Sequence, residues 1–148
     1  MRVLTTFTLS LALLLGLPVA VPTVAVNAVA ATPAEIATQV RADWAKTKAS
    51  YLATVKPYQD TPANTALITQ YTAALDKAGG SLEKFMSLKL ATPATPAATL
   101  TPAVDQLAKD LMMLRALSGK ATGPLATALG SALSQQNQVA QTALANMR

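Results

Sequence analysis

Thr-Pro-Ala occurs five times in the chain, beginning at Thr32, Thr61, Thr92, Thr95 and Thr101. A threonine hydroxyl can accept from the free N–H groups at the start of a helix, and proline suits the first helical position, where its missing N–H leaves no bond unmade. The triplet therefore reads as a helix-start signal, and wherever an apolar stripe follows it a helix is expected. Three copies have such a stripe behind them. The other two, at Thr92 and Thr95, fall in a Thr/Pro/Ala linker over residues 91–101 that is expected to stay extended.

Behind the first triplet, Ile36, Val40, Trp44, Tyr51 and Val55 recur at steps of three and four, with Thr47 filling the gap. That spacing marks one face of a helix from Pro33 to Val55. Thr32 and Glu35 have the spacing of a capping box at its start, and Pro57 stops it. The second triplet opens a helix from Pro62 to about Ala78, with Leu67, Ile68, Tyr71, Ala74 and Leu75 inward and Gly79-Gly80 expected to end it. Ser81 would then cap a short helix carrying Leu82, Phe85, Met86 and Leu90. A helix from Pro102 to about Leu117 turns Val104, Leu107, Leu111 and Leu114 inward, and a last helix runs from Pro124 to near Met147. In that last helix Ala126, Gly130 and Ser134 repeat every four residues, a spacing that would let a neighbouring helix approach closely. Alternating β-branched runs are absent after residue 30. The expected fold is all-α: an antiparallel bundle of four main helices plus one short helix, in a single domain over residues 31–148.

The first thirty residues read differently. Arg2 is the only charge before Glu35, an apolar run centred on Leu9 to Val19 follows, and Ala28-Val29-Ala30 supplies small residues at the positions a signal peptidase reads. Residues 1–30 are therefore expected to be a cleaved signal peptide, cut between Ala30 and Ala31 or two residues earlier. Pro18 and Pro22 interrupt the run, leaving it shorter than the ~20 helical residues that cross a bilayer. No later segment approaches ~18 uninterrupted apolar residues, so no stable membrane span is expected after processing. The expected location is secreted or extracytoplasmic: periplasm, cell wall or extracellular space.

Chemistry is limited by what the chain lacks. It has no cysteine and no histidine, which removes thiol catalysis, zinc–thiolate sites, and the commonest general base and metal ligand. The acids Glu35, Asp43, Asp60, Asp76, Glu83, Asp105 and Asp110 include no local pair spaced for acid–base work, and no oxygen-rich calcium loop occurs. No G-x-S-x-G elbow is present. The chain is read as a non-enzyme without cofactor or metal. Arg41, Lys46 and Lys48 lie near Trp44 and Tyr51 but form no basic stripe, so nucleic acid is not an expected partner.

Charged residues make up 13% of the chain, against about 25% in typical globular proteins, so neutral side chains must cover much of the surface. The last helix is the extreme case: Gln135, Gln136, Asn137, Gln138 and Gln141 cluster in a stretch with no charge between Lys120 and Arg148. Gln135, Gln138 and Gln141 are read as a face for a protein or cell-wall polymer, since neutral amides suit a surface that becomes partly buried. Gln136 falls on the apolar stripe and conflicts with it. The function expected is that of a non-catalytic interaction module of the cell envelope. The alternative is a carrier of a small apolar ligand, lipid or haem-like, held between helices by Trp44, Tyr51, Tyr71, Phe85, Met86 and Met112.

Tyr51-Leu52 together with Asn64 to Leu67 resembles secreted haem-carrying helical proteins of actinobacteria over a small part of the chain. Their cysteines and any histidine ligand are missing, and no site is carried over.

Overall fold

The computed structural model describes residues 31–91 and 94–147, so the export signal expected at residues 1–30 lies outside the described residues. The fold is an all-α bundle of four helices: α1 (Pro33–Val55), a 3-10 turn (Lys56–Tyr58), α2 (Pro62–Leu90), α3 (Ala97–Ser118) and α4 (Gly123–Asn146). No strand occurs among the described residues, and no helix there is long and apolar enough to cross a membrane.

The Thr-Pro-Ala signals work as read at two of the helix starts. Thr32 caps α1 in a complete capping box: its hydroxyl accepts from Glu35 N–H at 3.3 Å, and its own N–H donates to Glu35 Oε2 at 2.7 Å. Thr61 caps α2 by accepting from Asn64 N–H at 3.2 Å. At Pro102 the expectation was late. α3 starts at Ala97, behind Pro96, and Pro102 lies inside it. Proline there is the sixth helical residue, so it forfeits the bond its N–H would make to Ala98 C=O in the second turn. The extended linker shrinks accordingly, and Thr95 fastens it to the end of α2 by donating to Leu88 C=O at 2.6 Å.

Gly79-Gly80 does not end a helix. α2 runs straight through to Leu90, so the expected short helix from Ser81 is the C-terminal part of α2. The reason lies in α1. A Cβ on Gly79 would stand 2.7 Å from Trp44 Nε1, so the missing side chain admits the indole onto the α2 backbone. Glycine is used for close approach rather than for a left-handed cap; the glycine with positive φ among the described residues is Gly123, at +57°, where α4 begins. Gly130 is the converse case. Its Cβ position meets nothing within 4 Å and the residue is exposed, so none of α1–α3 approaches there, contrary to the close packing expected from the small-residue spacing.

α1 packs mainly against α4, and α2 against α3. The core has two parts. One gathers Tyr51, Val55, Ile68, Tyr71, Leu75, Leu114, Leu117, Leu125 and Leu129; the other gathers Val40, Leu82, Phe85, Met86, Leu107, Ala140, Ala143 and Met147. Trp44 and Leu111 pack against both. Burying a side chain the size of Leu or Phe contributes about 1.5–3 kcal/mol, so these stripes supply the main drive for bundling. The two buried polar or charged residues among the described residues, Asp110 and Gln136, fall between the halves in sequence: Asp110 between Leu107 and Leu114, Gln136 between Ala132 and Ala140.

A candidate binding groove between the first and last helices

The α1–α4 contact leaves a groove of about 450 Å³ on its outer side. Val40, Asp43, Lys46, Thr47 and Ser50 line it from α1, and Gln135, Gln138, Val139 and Thr142 from α4. Both sets follow the three- and four-residue steps of a helix face, so each helix presents a polar strip directly beside its buried one. Some of these groups are already engaged locally. Asp43 Oδ1 accepts from Gln39 Nε2 at 3.0 Å, the Thr47 hydroxyl donates to Trp44 C=O at 2.9 Å, and the Thr142 hydroxyl donates to Gln138 C=O at 2.9 Å. The side-chain amides of Gln135 and Gln138, the Ser50 hydroxyl and the Lys46 ammonium make no side-chain hydrogen bond or ion pair among the described residues. Each Gln offers two donors and an acceptor, and the two stand one helical turn apart. The groove can therefore bind by hydrogen bonding along its length. It contains one carboxylate, Asp43, and one ammonium, Lys46, and none of its hydroxyls is hydrogen-bonded to either.

Gln135 and Gln138 thus line this groove, while Gln141 is exposed on α4 outside the groove lining. Of the α1 residues opposite them, Val40 and Thr47 belong to the apolar stripe, and Asp43, Lys46 and Ser50 lie next to it without a pattern of their own.

The six residues considered as ligand contacts are distributed over the molecule. Tyr51 and Tyr71 lie in one half of the core with ring centroids 5.0 Å apart and planes tilted by 38°. The Tyr51 hydroxyl donates to Ile68 C=O at 3.1 Å and lies 3.0 Å from the Thr72 hydroxyl. Burial pushes the phenols of both tyrosines up from their ordinary range, with the Thr72 bond working against this at Tyr51 and the neighbouring Tyr51 ring adding to it at Tyr71. Phe85 and Met86 are buried in the other half. Trp44 is half-buried over Gly79 and, with Met86, borders a second groove of about 290 Å³ between α1 and α2. The Arg41–Glu83 and Lys48–Asp76 ion pairs flank that groove. Met112 is exposed on α3.

Asp110 was not singled out in the sequence. It is 3% exposed and accepts from Ser81 Oγ at 2.5 Å and Gln106 Nε2 at 3.0 Å, with Lys77 Nζ 3.4 Å away. Its place in the inward series Ala103, Leu107, Asp110, Leu114, Leu117 was the available signal. The cluster joins α2 to α3, and both oxygens of its buried carboxylate have a partner.

No protein-family model matches the sequence, and no curated protein or solved structure matches it.

Proposed function

We propose that this chain is an exported, non-catalytic interaction module that holds a neutral, hydrogen-bonding partner, an extended protein segment or a cell-wall polymer, against its α1–α4 face. The observation that carries the reading is the groove whose α4 wall is built from the unengaged amides of Gln135 and Gln138 on a helix without a charged residue. An uncharged hydrogen-bonding wall does not require a partner to shed a tightly held hydration shell, which suits repeated weak contacts with a polar polymer. Residues 1–30 act in this reading as the export signal, removed by a cut between Ala30 and Ala31 or two residues earlier. An antiparallel run of α1 and α2 belongs to the same proposal, supported by partners that descend along α2 as α1 ascends: Arg41 with Glu83, Lys48 with Asp76, Tyr51 with Thr72. A carrier of an apolar ligand would need its contact residues around one space; Tyr51, Tyr71 and Phe85 are packed in the core, and of the six only Trp44 and Met86 border a common groove.

The test compares the protein with a Gln135→Ala/Gln138→Ala/Ser50→Ala variant for retention on envelope material from the producing organism. Circular dichroism of both proteins checks that the helices are intact. Loss of retention in the variant supports the proposal. Equal retention, or none by either protein, overturns it.

A further inference from the structure

α3 reverses the usual placement of methionine. Its inward positions are Leu107, Leu111, Leu114 and Leu117, whereas Met112 and Met113 point outward and are 68% and 55% exposed. Met86 and Met147, by contrast, are buried at 1% and 2%. Two of the three large apolar side chains exposed among the described residues are thus these adjacent methionines. Neither appears among the residues of either core half. Packing gives no reason for a thioether at these positions, and leaving two large apolar groups in water forfeits the burial that would stabilise them.

We propose that Met112 and Met113 form an oxidant-accepting site on the outer face of α3, with peroxides as the substrate class. The Sδ lone pair attacks one oxygen of the peroxide and the O–O bond breaks. Sulfur keeps that oxygen as a sulfoxide, while the proton on it passes to the departing oxygen, which leaves as water or an alcohol. Sulfur is oxidised and the peroxide is reduced. Because both side chains already face solvent, the polar sulfoxides disturb no packed contact, and two equivalents of oxidant are absorbed without loss of the fold. Sulfoxides at Met86 or Met147 would instead place a polar group inside the core.

The experiment treats the purified protein with hydrogen peroxide and follows each methionine by tandem mass spectrometry, with circular dichroism at 222 nm and a thermal melt on the same samples. Met112 and Met113 are expected to oxidise at least roughly tenfold faster than Met86 and Met147, in line with exposure controlling access to the sulfur. The melt is expected to stay unchanged at two added oxygens, and methionine sulfoxide reductases A and B should restore the original mass. A Met112→Leu/Met113→Leu variant should keep its helicity and lose the fast phase. Equal rates at buried and exposed sites, a lowered melting temperature once only Met112 and Met113 are oxidised, or sulfoxides that the reductases do not reduce would each overturn the proposal.

Discussion

Tyr71 on α2 donates its phenolic hydrogen to Gln136 Oε1 on α4 at 2.9 Å, and both residues are completely buried, at 0% exposure. The bond joins two helices that otherwise touch little, since α2 packs chiefly on α3 and α4 on α1. Gln136 Nε2 has no partner among the described residues, so the Tyr71 bond is what compensates the buried amide. Slipping α4 by one turn would put Ala132 or Ala140 opposite the phenol and leave its hydroxyl unpaired, which makes the pair a register mark for the bundle.

Removing one side of that pair should therefore hurt more than removing both. Tyr71→Phe leaves the whole amide of Gln136 unpaired and is expected to destabilise the fold by about 1–3 kcal/mol. Tyr71→Phe with Gln136→Leu replaces the polar pair by apolar groups of similar size and should recover most of the loss. Urea melts followed at 222 nm, arranged as a double-mutant cycle, measure this. A double variant as unstable as the sum of the singles contradicts the pairing.

The two mid-helix glycines of α2 should respond in opposite directions to alanine. Gly80 has open space at its Cβ position, so Gly80→Ala should stabilise by about 0.5–1 kcal/mol through helix propensity. Gly79→Ala places a methyl 2.7 Å from Trp44 Nε1; displacing the indole should cost about 1–3 kcal/mol and outweigh the same propensity gain. Trp44 is the chain's single tryptophan, so its emission reports the displacement directly. A shift with Gly79→Ala and none with Gly80→Ala is expected.

At the α2–α3 contact, burial rather than charge pairing should decide the outcome. Asp110→Ala strips the shared acceptor from Ser81 and Gln106 and should lower stability by about 1–3 kcal/mol. Lys77 is 67% exposed, and Lys77→Ala should change stability by less than about 1 kcal/mol. Chemical denaturation of the two variants separates these effects; comparable losses would show that the ion pair, not the hydrogen-bonded cluster, holds the helices.

Stability should fall at both ends of the pH scale. The Arg41 hydrogen bonds hold the Glu83 carboxyl below its ordinary value of 4.5, so its contribution is complete above pH 4.5 and is lost as pH falls through the lowered folded value. Thr32 does the same for Glu35 at the α1 cap, through its backbone bond first and its hydroxyl second. Buried Tyr51 and Tyr71 are raised above 10, so the stability tied to their neutral form is complete below pH 10 and is lost as pH rises through the raised folded values. Melting temperatures against pH should show both limbs, with Glu83→Gln flattening the acid one. In a Tyr58→Phe variant, which leaves only the two buried phenols, tyrosinate absorbance near 295 nm should rise with unfolding on the alkaline side rather than before it.

The helices were legible because stripe spacing, threonine caps and prolines all act within a few residues of one another. The start of α1 was readable to the residue for that reason. What failed was long-range. Gly79 has the local signature of a helix end, but its use is set by Trp44, thirty-five residues earlier in the chain and invisible to local pattern. Gln136 stood out as a conflict on the apolar stripe, yet its partner Tyr71 looked like one more core aromatic. The amides of Gln135 and Gln138 were visible as a face; the α1 wall opposite them depends on helix pairing, which one helix's sequence does not encode.

The binding role of that groove is most directly tested by two-dimensional ¹H–¹⁵N NMR of the labelled protein titrated with solubilised envelope polymer and peptide fractions from the producing organism. Side-chain amide signals of Gln135 and Gln138, with the backbone amides of Lys46 and Ser50, should shift together and saturate, while those of α2 and α3 stay in place. Shifts confined to α2 and α3, or no shift with any fraction, would contradict it.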